Sequence, residues 1–433
     1  MNRIHIIIVF ALSSLTAVAQ TLPDDLRTLM QQANTNFPRL KEQEQQVKAG
    51  EIRRDIVRTT LLPTIQGNGS YQYINPVPQA TFPINGQDVA LKFVPHHNLN
   101  ANIGINVPIY DWGRTKEAIR KAQDDILLAR HSLELTQHNL GFQVAAAYYG
   151  VGFLQKSLSV QDSVIQTASA NIQTIVNRLR NGDALEFDVL TQKVRLETAK
   201  NRKVDIQNQL DRQLALLTYL TGNPSPVIGP DAREFSTITG PLPIADARYQ
   251  AALSGNKDLV IAQDRVRQAE SEIRASELNG RPTLGFGGNV GFKNGYIPDV
   301  NTPKFNQAAG VSLVVPIYSG KRNALQTEAA RVNLTASKYA VENANAQLRQ
   351  SLAQINADMK AYQARLQNLE TQLLQAGKAL DIARARLKNG VITAVELESA
   401  ETGVEEARLT QLSVQYQILL SQLELKRLLG EGL

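Results

Sequence analysis

Two different periods of apolar and polar residues alternate along this chain. In the second half, apolar or small residues recur at steps that alternate between four and three over about 40 residues. These residues are Leu348, Leu352, Ile355, Met359, Tyr362, Leu366, Leu369, Leu373, Ala376, Leu380, Ala383 and Leu387. A repeat of 3.5 residues is typical of left-handed coiled coils. The pattern therefore predicts a long helix that packs along one continuous seam.

The first half carries a similar seam with one irregular step. It runs from Ala122 to Leu179, and Leu140 is followed by Val144, a step of four where a step of three is due. Such a stutter locally unwinds a supercoil. We predict a helix over about 113–181, which at 1.5 Å per residue would be about 100 Å long.

Each long helix is predicted to turn back into a shorter one. Asn181 and Gly182 interrupt the first pattern, and Asn389 and Gly390 interrupt the second. An Asn-Gly pair favours the left-handed cap that ends a helix. Each long helix would therefore have two shorter helices stacked end to end beside it. One of the two precedes the long helix in the chain and the other follows it.

The sequence contains an internal duplication. Val107-Pro108-Ile109-Tyr110 recurs 208 positions later as Val315-Pro316-Ile317-Tyr318, and the two Asn-Gly pairs keep that offset. Upstream the offset is 219, because Pro63 matches Pro282. The first copy therefore has 11 additional residues. They fall within 75–97, where proline and polar residues predict a loop.

Segments with a strict period of two precede each long helix. Apolar residues alternate there with Asn, Gln, Ser and Gly over about 64–74, 97–109, 283–292 and 306–318. This length and pattern suit outer-membrane strands, with lipid on one face and water on the other. Four strands cannot close a barrel, and lipid does not tolerate open strand edges. Three copies of the chain would supply 12 strands.

Aromatic residues lie just beyond two of these segments. Tyr110, Trp112 and Tyr318 occupy the positions where an aromatic girdle would meet the membrane interface. The first residues of the chain are typical of a secretory signal, with Arg3, an apolar stretch and the small residues Ala17 and Ala19 before the predicted cleavage site.

Composition excludes several classes of function. The 433 residues include no cysteine, which excludes disulfides, thiolate metal sites and cysteine nucleophiles. The net charge of +6 is spread along the chain and forms no nucleic-acid patch. We find no catalytic set, and His96 and His97 have no further metal ligand near them in the sequence. The sequence therefore predicts no enzyme, cofactor, metal or nucleic-acid partner.

Taken together, these motifs resemble the TolC family of bacterial outer-membrane efflux ducts. The resemblance rests on the joints 107–114 and 315–322 and on the turns 178–190 and 386–397, in that order and duplication. It implies a mainly α fold with a small β part: a coiled-coil helical barrel and a 12-stranded barrel, closed by a homotrimer. It also implies outer-membrane lipid, a periplasmic adaptor and an inner-membrane pump as partners of a passive exit duct.

On this resemblance the chain divides into four parts. They are a signal peptide (1–19), a first repeat (20–221) with a helical hairpin at about 113–221, a periplasmic equatorial linker (222–255), and a second repeat (256–433) with a hairpin at about 319–429.

The resemblance also indicates candidate site residues near the two turns. Asp188 and Glu396, 208 positions apart, would form a ring of carboxylates at the periplasmic constriction, with Glu398 and Ser399 beside them. The alternative is that Asp188 and Glu396 are ordinary first-turn acids favoured by the helix dipole. Leu387 replaces a tyrosine that closes the tip in the best-known members, so the closing contacts must differ.

The turn residues have two interpretations as well. Gly182 and Gly390, with Asn181 and Asn389, match the turns that line the adaptor grooves of the family, but the glycines also suit plain helix caps. At the level of the whole chain, the rival hypothesis is a secreted coiled-coil structural or adhesive protein. Within the family, the sequence leaves open drug efflux, protein secretion and metal efflux.

Overall fold

The computed structural model of the protein describes residues 22–84, 86–229 and 245–432. The predicted signal peptide and residues 230–244 of the predicted linker lie outside these described residues. Within them the elements follow the order α1 (Asp24–Asn36), α2 (Pro38–Thr59), β1 (Thr64–Tyr73), β2 (Gln79–Ile84), β3 (Gln87–Lys92), β4 (His97–Tyr110), α3 (Arg114–Arg180), α4 (Glu186–Thr221), α5 (Ala245–Gly255), α6 (Lys257–Leu278), β5 (Thr283–Lys293), β6 (Lys304–Val314), α7 (Arg322–Lys388) and α8 (Ala394–Leu429).

The duplication is visible in the lengths of the helices. Helices α3 and α7 have 67 residues each, α4 and α8 have 36 each, and α2 and α6 have 22 each. The first two pairs start 208 positions apart and the third pair starts 219 apart, as in the sequence. The predicted mainly α fold, with two repeats and long helices, is confirmed.

The short helices meet end to end beside the long ones. In the second repeat, Asn256 caps α6 and donates its Nδ2 to the carbonyl of Leu428 at the end of α8, at 3.0 Å. The first repeat has the matching contact, in which Asn36 donates to the carbonyl of Thr221 at 3.1 Å. At the second junction the backbones lie so close that a Cβ on Gly255 would lie 2.1 Å from the carbonyl oxygen of Leu429.

The predicted seams are the buried faces of the long helices. On α7, Leu348, Ile355, Met359, Leu369, Leu380 and Leu387 are buried, and these residues pack against α8. Helix α3 contacts α2, α4, α6 and α8, so it joins the two repeats, whereas α7 contacts α5, α6 and α8. The stutter coincides with the largest core cluster, where Leu140, Val144 and Tyr148 pack with α1 and the end of α4.

The four predicted strands form one antiparallel sheet in the order β1-β4-β5-β6. Its register pairs apolar residues with apolar residues on one face, as Ile65 with Ile105 and Phe286 with Val311. On the other face polar residues are paired, as Asn68 with Asn102. Along β4 the apolar side chains from Leu99 to Ile103 are exposed and the intervening asparagines are half-buried. The sheet therefore has one apolar face and one face of Asn, Gln, Ser and Gly.

Two local predictions were wrong. Residues 75–97, predicted as a loop, contain the antiparallel hairpin of β2 and β3. The Asn-Gly pair at 85–86 is a strong hairpin signal, but the prolines around it favoured a loop. In addition, β6 ends at Val314 and does not continue to 318, since β5, its only partner among the described residues, begins at Thr283 opposite Val314. None of the helices in the described ranges has the length and apolar character needed to cross a bilayer.

Candidate functional site

The two helix-helix turns lie side by side at the end of the helical hairpins. The α3–α4 turn and the α7–α8 turn share a cleft of about 330 Å³. Its lining includes Gly182 and Asp188 from the first turn and Leu387, Gly390 and Thr393 from the second. The fold therefore brings together the candidate residues of both repeats, although they are about 200 residues apart in the chain.

Both turns have the geometry of a left-handed helix cap. Gly182 has a φ of 81° and Gly390 a φ of 72°, a region that residues with a Cβ rarely adopt. Asn181 and Asn389 are the C-cap residues of α3 and α7. The guanidinium of Arg178 donates to the carbonyl of Leu387 at 3.0 Å and so connects the two turns. Each glycine is thus required by its own turn.

The two predicted constriction acids occupy equivalent places in the first turns of α4 and α8. The Asp188 carboxylate accepts the backbone N–H of Leu185 at 3.0 Å. The Glu396 carboxylate accepts the backbone N–H of Thr393 at 2.8 Å and its hydroxyl at 3.0 Å, and the Thr393 hydroxyl in turn accepts the N–H of Glu396. Both acids therefore cap helices.

The electrostatics of Glu396 favour its ionised state. The hydrogen bonds from the backbone and the hydroxyl of Thr393 hold the pKa of the fully exposed Glu396 below its ordinary value. The partial positive charge at the start of a helix also favours a carboxylate there. Asp188 is half-buried beside the cleft. Capping and a charged constriction are compatible, because the cap uses part of each carboxylate and leaves the charge.

The other two predicted residues of the constriction differ from these acids. Glu398 is half-buried and accepts a hydrogen bond from Nε2 of Gln192 on α4 at 3.2 Å. Ser399 is exposed. The structure therefore directs Glu398 towards the neighbouring hairpin of the same chain, and does not group its carboxylate with the caps of Asp188 and Glu396.

A buried ion pair between α4 and α8 was not predicted from the sequence. Arg195 lies 2.9 Å from Glu401, and their side chains are 9% and 5% exposed. Glu401 also accepts two hydrogen bonds from Asn171 on α3, at 3.0 and 3.1 Å. Further along, Arg202 pairs with the buried Glu405 at 3.0 Å. The sequence offered one sign of these pairs: basic residues on one predicted helix and acidic residues on the other recur at helical spacing.

Two apolar residues beside the second turn, Leu387 and Ile392, pack within one hairpin. Leu387 is buried in a cluster with Leu397, and Ile392 packs against the same cluster. These side chains therefore stabilise the α7–α8 turn itself. Within the described ranges, no group of three or more His, Asp or Glu residues could hold a metal ion.

Comparison with known proteins identifies the family of this fold. A family model described as "Outer membrane efflux protein" matches residues 29–223 and 248–431, one block in each repeat. The chain belongs to the outer membrane efflux protein family. It is an outer-membrane efflux channel of the TolC type, which spans the outer membrane and the periplasm and transports without catalysing a reaction. The rival hypothesis of a secreted structural or adhesive protein is therefore excluded.

Individual relatives are distant but cover nearly the whole chain. The outer membrane protein TolC of Escherichia coli is 22% identical over an alignment of 440 positions, which covers 98% of this chain and 85% of that protein. A crystal structure of CusC has a TM-score of 0.77 at 16% identity and covers 95% of this chain and 93% of its own. The open state of MtrE from Neisseria gonorrhoeae has a TM-score of 0.75 at 20% identity, with coverage of 94% and 89%.

In this outer membrane efflux protein, the predicted girdle aromatics lie at the joints between sheet and helices. Tyr110 ends β4 and contacts Trp112 edge to face, with ring centroids 4.8 Å apart. Tyr318 follows β6 and is 81% exposed. Aromatic residues at such joints suit the boundary between lipid and water.

Proposed function

We propose that three copies of this outer membrane efflux protein form one continuous duct through the outer membrane and the periplasm. The duct works with a periplasmic adaptor and an inner-membrane pump, which supply the energy and select the cargo. The observation that carries this proposal is that the single chain leaves two kinds of surface uncovered. In the part of the chain that the structure describes, both edges of its sheet are unpaired, and both sides of its helical layer expose apolar residues, which further copies of the chain would cover.

The edges of the sheet support the proposal first. In the described residues β1 pairs only with β4, and β6 pairs only with β5. Unpaired N–H and C=O groups cannot remain exposed to lipid. If β6 of one copy pairs with β1 of the next, three copies close a barrel of 12 strands, an even number within the known range. Residues 315–318, irregular in the single chain, would then gain a partner strand.

A second seam on α7 supports it independently. Leu325, Val332 and Tyr339 follow one another at intervals of seven and are 59%, 63% and 65% exposed. Ala346 and Ala353 continue the series and are also exposed. A heptad series on a helix that already buries a different seam requires a second helical partner.

The opposite side of the chain offers a matching surface. Helix α2 exposes Ile52 and Ile56, at 62% and 59%, and α4 exposes Leu190, Val194 and Val204, at 54%, 67% and 66%. Helix α3 already contacts both of these helices from one side. When α7 of one copy packs against α2 and α4 of the next, a closed helical tunnel results.

At the tip, the proposal assigns roles to the candidate site residues. Three copies of Asp188 and Glu396 would place six carboxylates around the periplasmic entrance, where they would favour cations. The grooves beside Gly182 and Gly390 would receive the adaptor, because the turns there are exposed and a Cβ at Gly182 would meet open space. Tyr110, Trp112 and Tyr318 would anchor the duct at the periplasmic surface of the outer membrane.

The mass of the assembly tests the proposal. We expect the purified protein in detergent to have three times the mass of one chain in analytical ultracentrifugation. Val332→Glu should reduce the trimer fraction, since a carboxylate in an apolar seam costs at least about 2 kcal/mol per copy. The matched control is Asn333→Glu, which places the same charge on the adjacent exposed position outside both seams. A wild-type mass of one or two chains would contradict the trimer.

A further inference from the structure

Charged residues are almost absent from the four-stranded sheet. Strands β1, β4, β5 and β6 contain no Asp or Glu, and their only Lys or Arg residues are Lys293 and Lys304. Lys293 ends β5, Lys304 begins β6, and the two are directly opposite each other in the register. Like charges directly opposite on antiparallel strands are destabilising. The pairing of the two lysines therefore destabilises this end of the sheet.

The register shows which face of the sheet carries the two lysines. On β5, Lys293 continues the row of Asn289 and Gly291, and its partner on β4 is Asn100. The residues next to it in the chain, on the other face, include Phe292, whose ring lies 5.8 Å from that of Phe305 on β6. Both lysines thus belong to the polar face. In an outer-membrane channel the apolar face contacts lipid, so the polar face lines the interior.

The position of the lysines along the duct follows from the topology. Helix α6 enters β5 at Thr283, and β6 leads from Val314 towards α7, so the helices adjoin the ends of the strands that are remote from Lys293 and Lys304. Because the helices of this family lie in the periplasm, the lysines lie at the outer end of the duct, where cargo leaves.

In the described part of the chain, neither ammonium group is directly paired with a carboxylate. Among the described residues, no carboxylate forms an ion pair with either lysine. Asp299 in the β5–β6 turn accepts the N–H of Asn301 at 3.0 Å and the hydroxyl of Thr302. These hydrogen bonds and, more weakly, the charge of Lys304 lower the pKa of Asp299, but the two side chains form no ion pair. The strand that a neighbouring copy would place beside β6 is β1, which also lacks acids.

We propose that Lys293 and Lys304 form an anion-binding collar at the exit of the duct. The proposal rests on the trimer proposed above, in which three copies place six ammonium groups around the interior of the barrel mouth. A ring of lysines selects anions, and phosphate or carboxylate groups of soluble, multivalent molecules have the matching chemistry. The duct would then carry charge of opposite sign at its two ends, acidic at the entrance and basic at the exit.

Block of single channels by inorganic tripolyphosphate tests the collar. The protein is inserted into a planar bilayer of neutral phosphatidylcholine, so that any anion site is occupied only from solution. A cysteine at Thr81 in the β2–β3 hairpin, in a chain with no other cysteine, reports orientation through an impermeant thiol reagent. We expect block from the hairpin side at lower concentration than from the tip side.

Substitutions then assign the block to the lysines. Lys293→Gln with Lys304→Gln should raise the half-blocking concentration on the order of tenfold, because six charges are lost from a narrow ring. The arginine pair Lys293→Arg with Lys304→Arg should retain the block. The matched control is Lys92→Gln, which removes the same charge at the same end of the molecule but on the separate β2–β3 sheet; it should change the block by less than about twofold.

The outcomes separate the collar from the duct. Normal conductance with equal block in the wild type and the glutamine pair would overturn the collar alone. A glutamine pair that retains the block but inserts less well into bilayers of phosphate-rich lipid would assign the lysines to headgroups, which also overturns an interior site. If the wild type formed no conducting pore at all, the duct itself would be contradicted, and the collar with it.

Discussion

Asp188 and Glu396 cap helices in the structure, and the proposed constriction would give the same two side chains a second role. Each acid accepts the backbone N–H of the residue three positions before it, and so closes the first turn of α4 or α8. A neutral glutamine could accept the same hydrogen bond, but it would lack the charge. The cap therefore explains why a hydrogen-bond acceptor is needed at this position. The proposed constriction would explain why that acceptor is negatively charged.

The cap of α8 should depend on pH in a defined direction. Because the hydrogen bonds from Thr393 hold the pKa of Glu396 below the ordinary value of 4.5, the cap stabilises the fold fully above that value. It should be lost as the pH falls through the lowered pKa of the folded state. We expect the protection of the Glu396 and Leu397 amides against hydrogen exchange to fall over that acidic range.

Two variants make this prediction specific. Thr393→Ala should reduce protection about fivefold at neutral pH, as the loss of an N-cap does. Glu396→Gln should remove the acid-dependent step while α8 stays helical. An unchanged step in Glu396→Gln would show that another group titrates, and the assignment of the cap would then be wrong.

At the scale of the elements, the two hairpins of one chain are joined near the tip by polar contacts. Arg195 and Glu401 form the most buried ion pair between α4 and α8, and Asn171 on α3 holds the same carboxylate. At the turns themselves the hairpins also make an apolar contact, since Ala394 on α8 packs with Ile175 on α3. The ion pair therefore adds a charged contact between the hairpins next to an apolar one.

Breaking this ion pair on one side should destabilise the chain strongly. Glu401→Ala leaves Arg195 buried without its partner, so we expect a loss of about 3 kcal/mol in the free energy of unfolding, measured by loss of helical circular dichroism. The control is Glu197→Ala, which removes an exposed pair with Lys200 at a similar distance of 2.8 Å and should cost less than about 1 kcal/mol. Equal losses would contradict the role of burial.

Sequence periodicity predicted the elements better than their contacts. The seam from Leu348 to Leu387 is a local pattern that needs no partner to be recognised, and the helix that carries it ends at Lys388, just before the predicted Asn-Gly turn. The pair of Arg195 and Glu401 joins two residues 206 positions apart in the chain and depends on the relative register of their helices, which no local pattern fixes. For β6 the missing information was the partner strand, since alternation continues beyond Val314 but pairing within the chain does not.

At the scale of the whole molecule, the proposed trimer turns single residues into rings. Asp188→Asn combined with Glu396→Gln removes six charges from the entrance and keeps the hydrogen-bond acceptors of the caps. We expect a weaker preference for cations in bilayer conductance, and a half-blocking concentration of multivalent cations that rises on the order of tenfold.

The matched control for the entrance is Glu197→Gln, which removes an exposed acid from α4 about two and a half turns beyond Asp188. It should leave selectivity nearly unchanged. Unchanged selectivity in the double variant would exclude the carboxylate ring, although the fold and the trimer would still stand.

The equal lengths of the helices in the two repeats have a consequence for symmetry. In the proposed trimer, six hairpins of the same length would surround the axis, and neighbouring hairpins would be of two kinds, because α7 and α8 differ in sequence from α3 and α4. Such a ring would have six similar hairpins but only threefold symmetry. A tilt of every second hairpin would therefore leave the threefold axis intact.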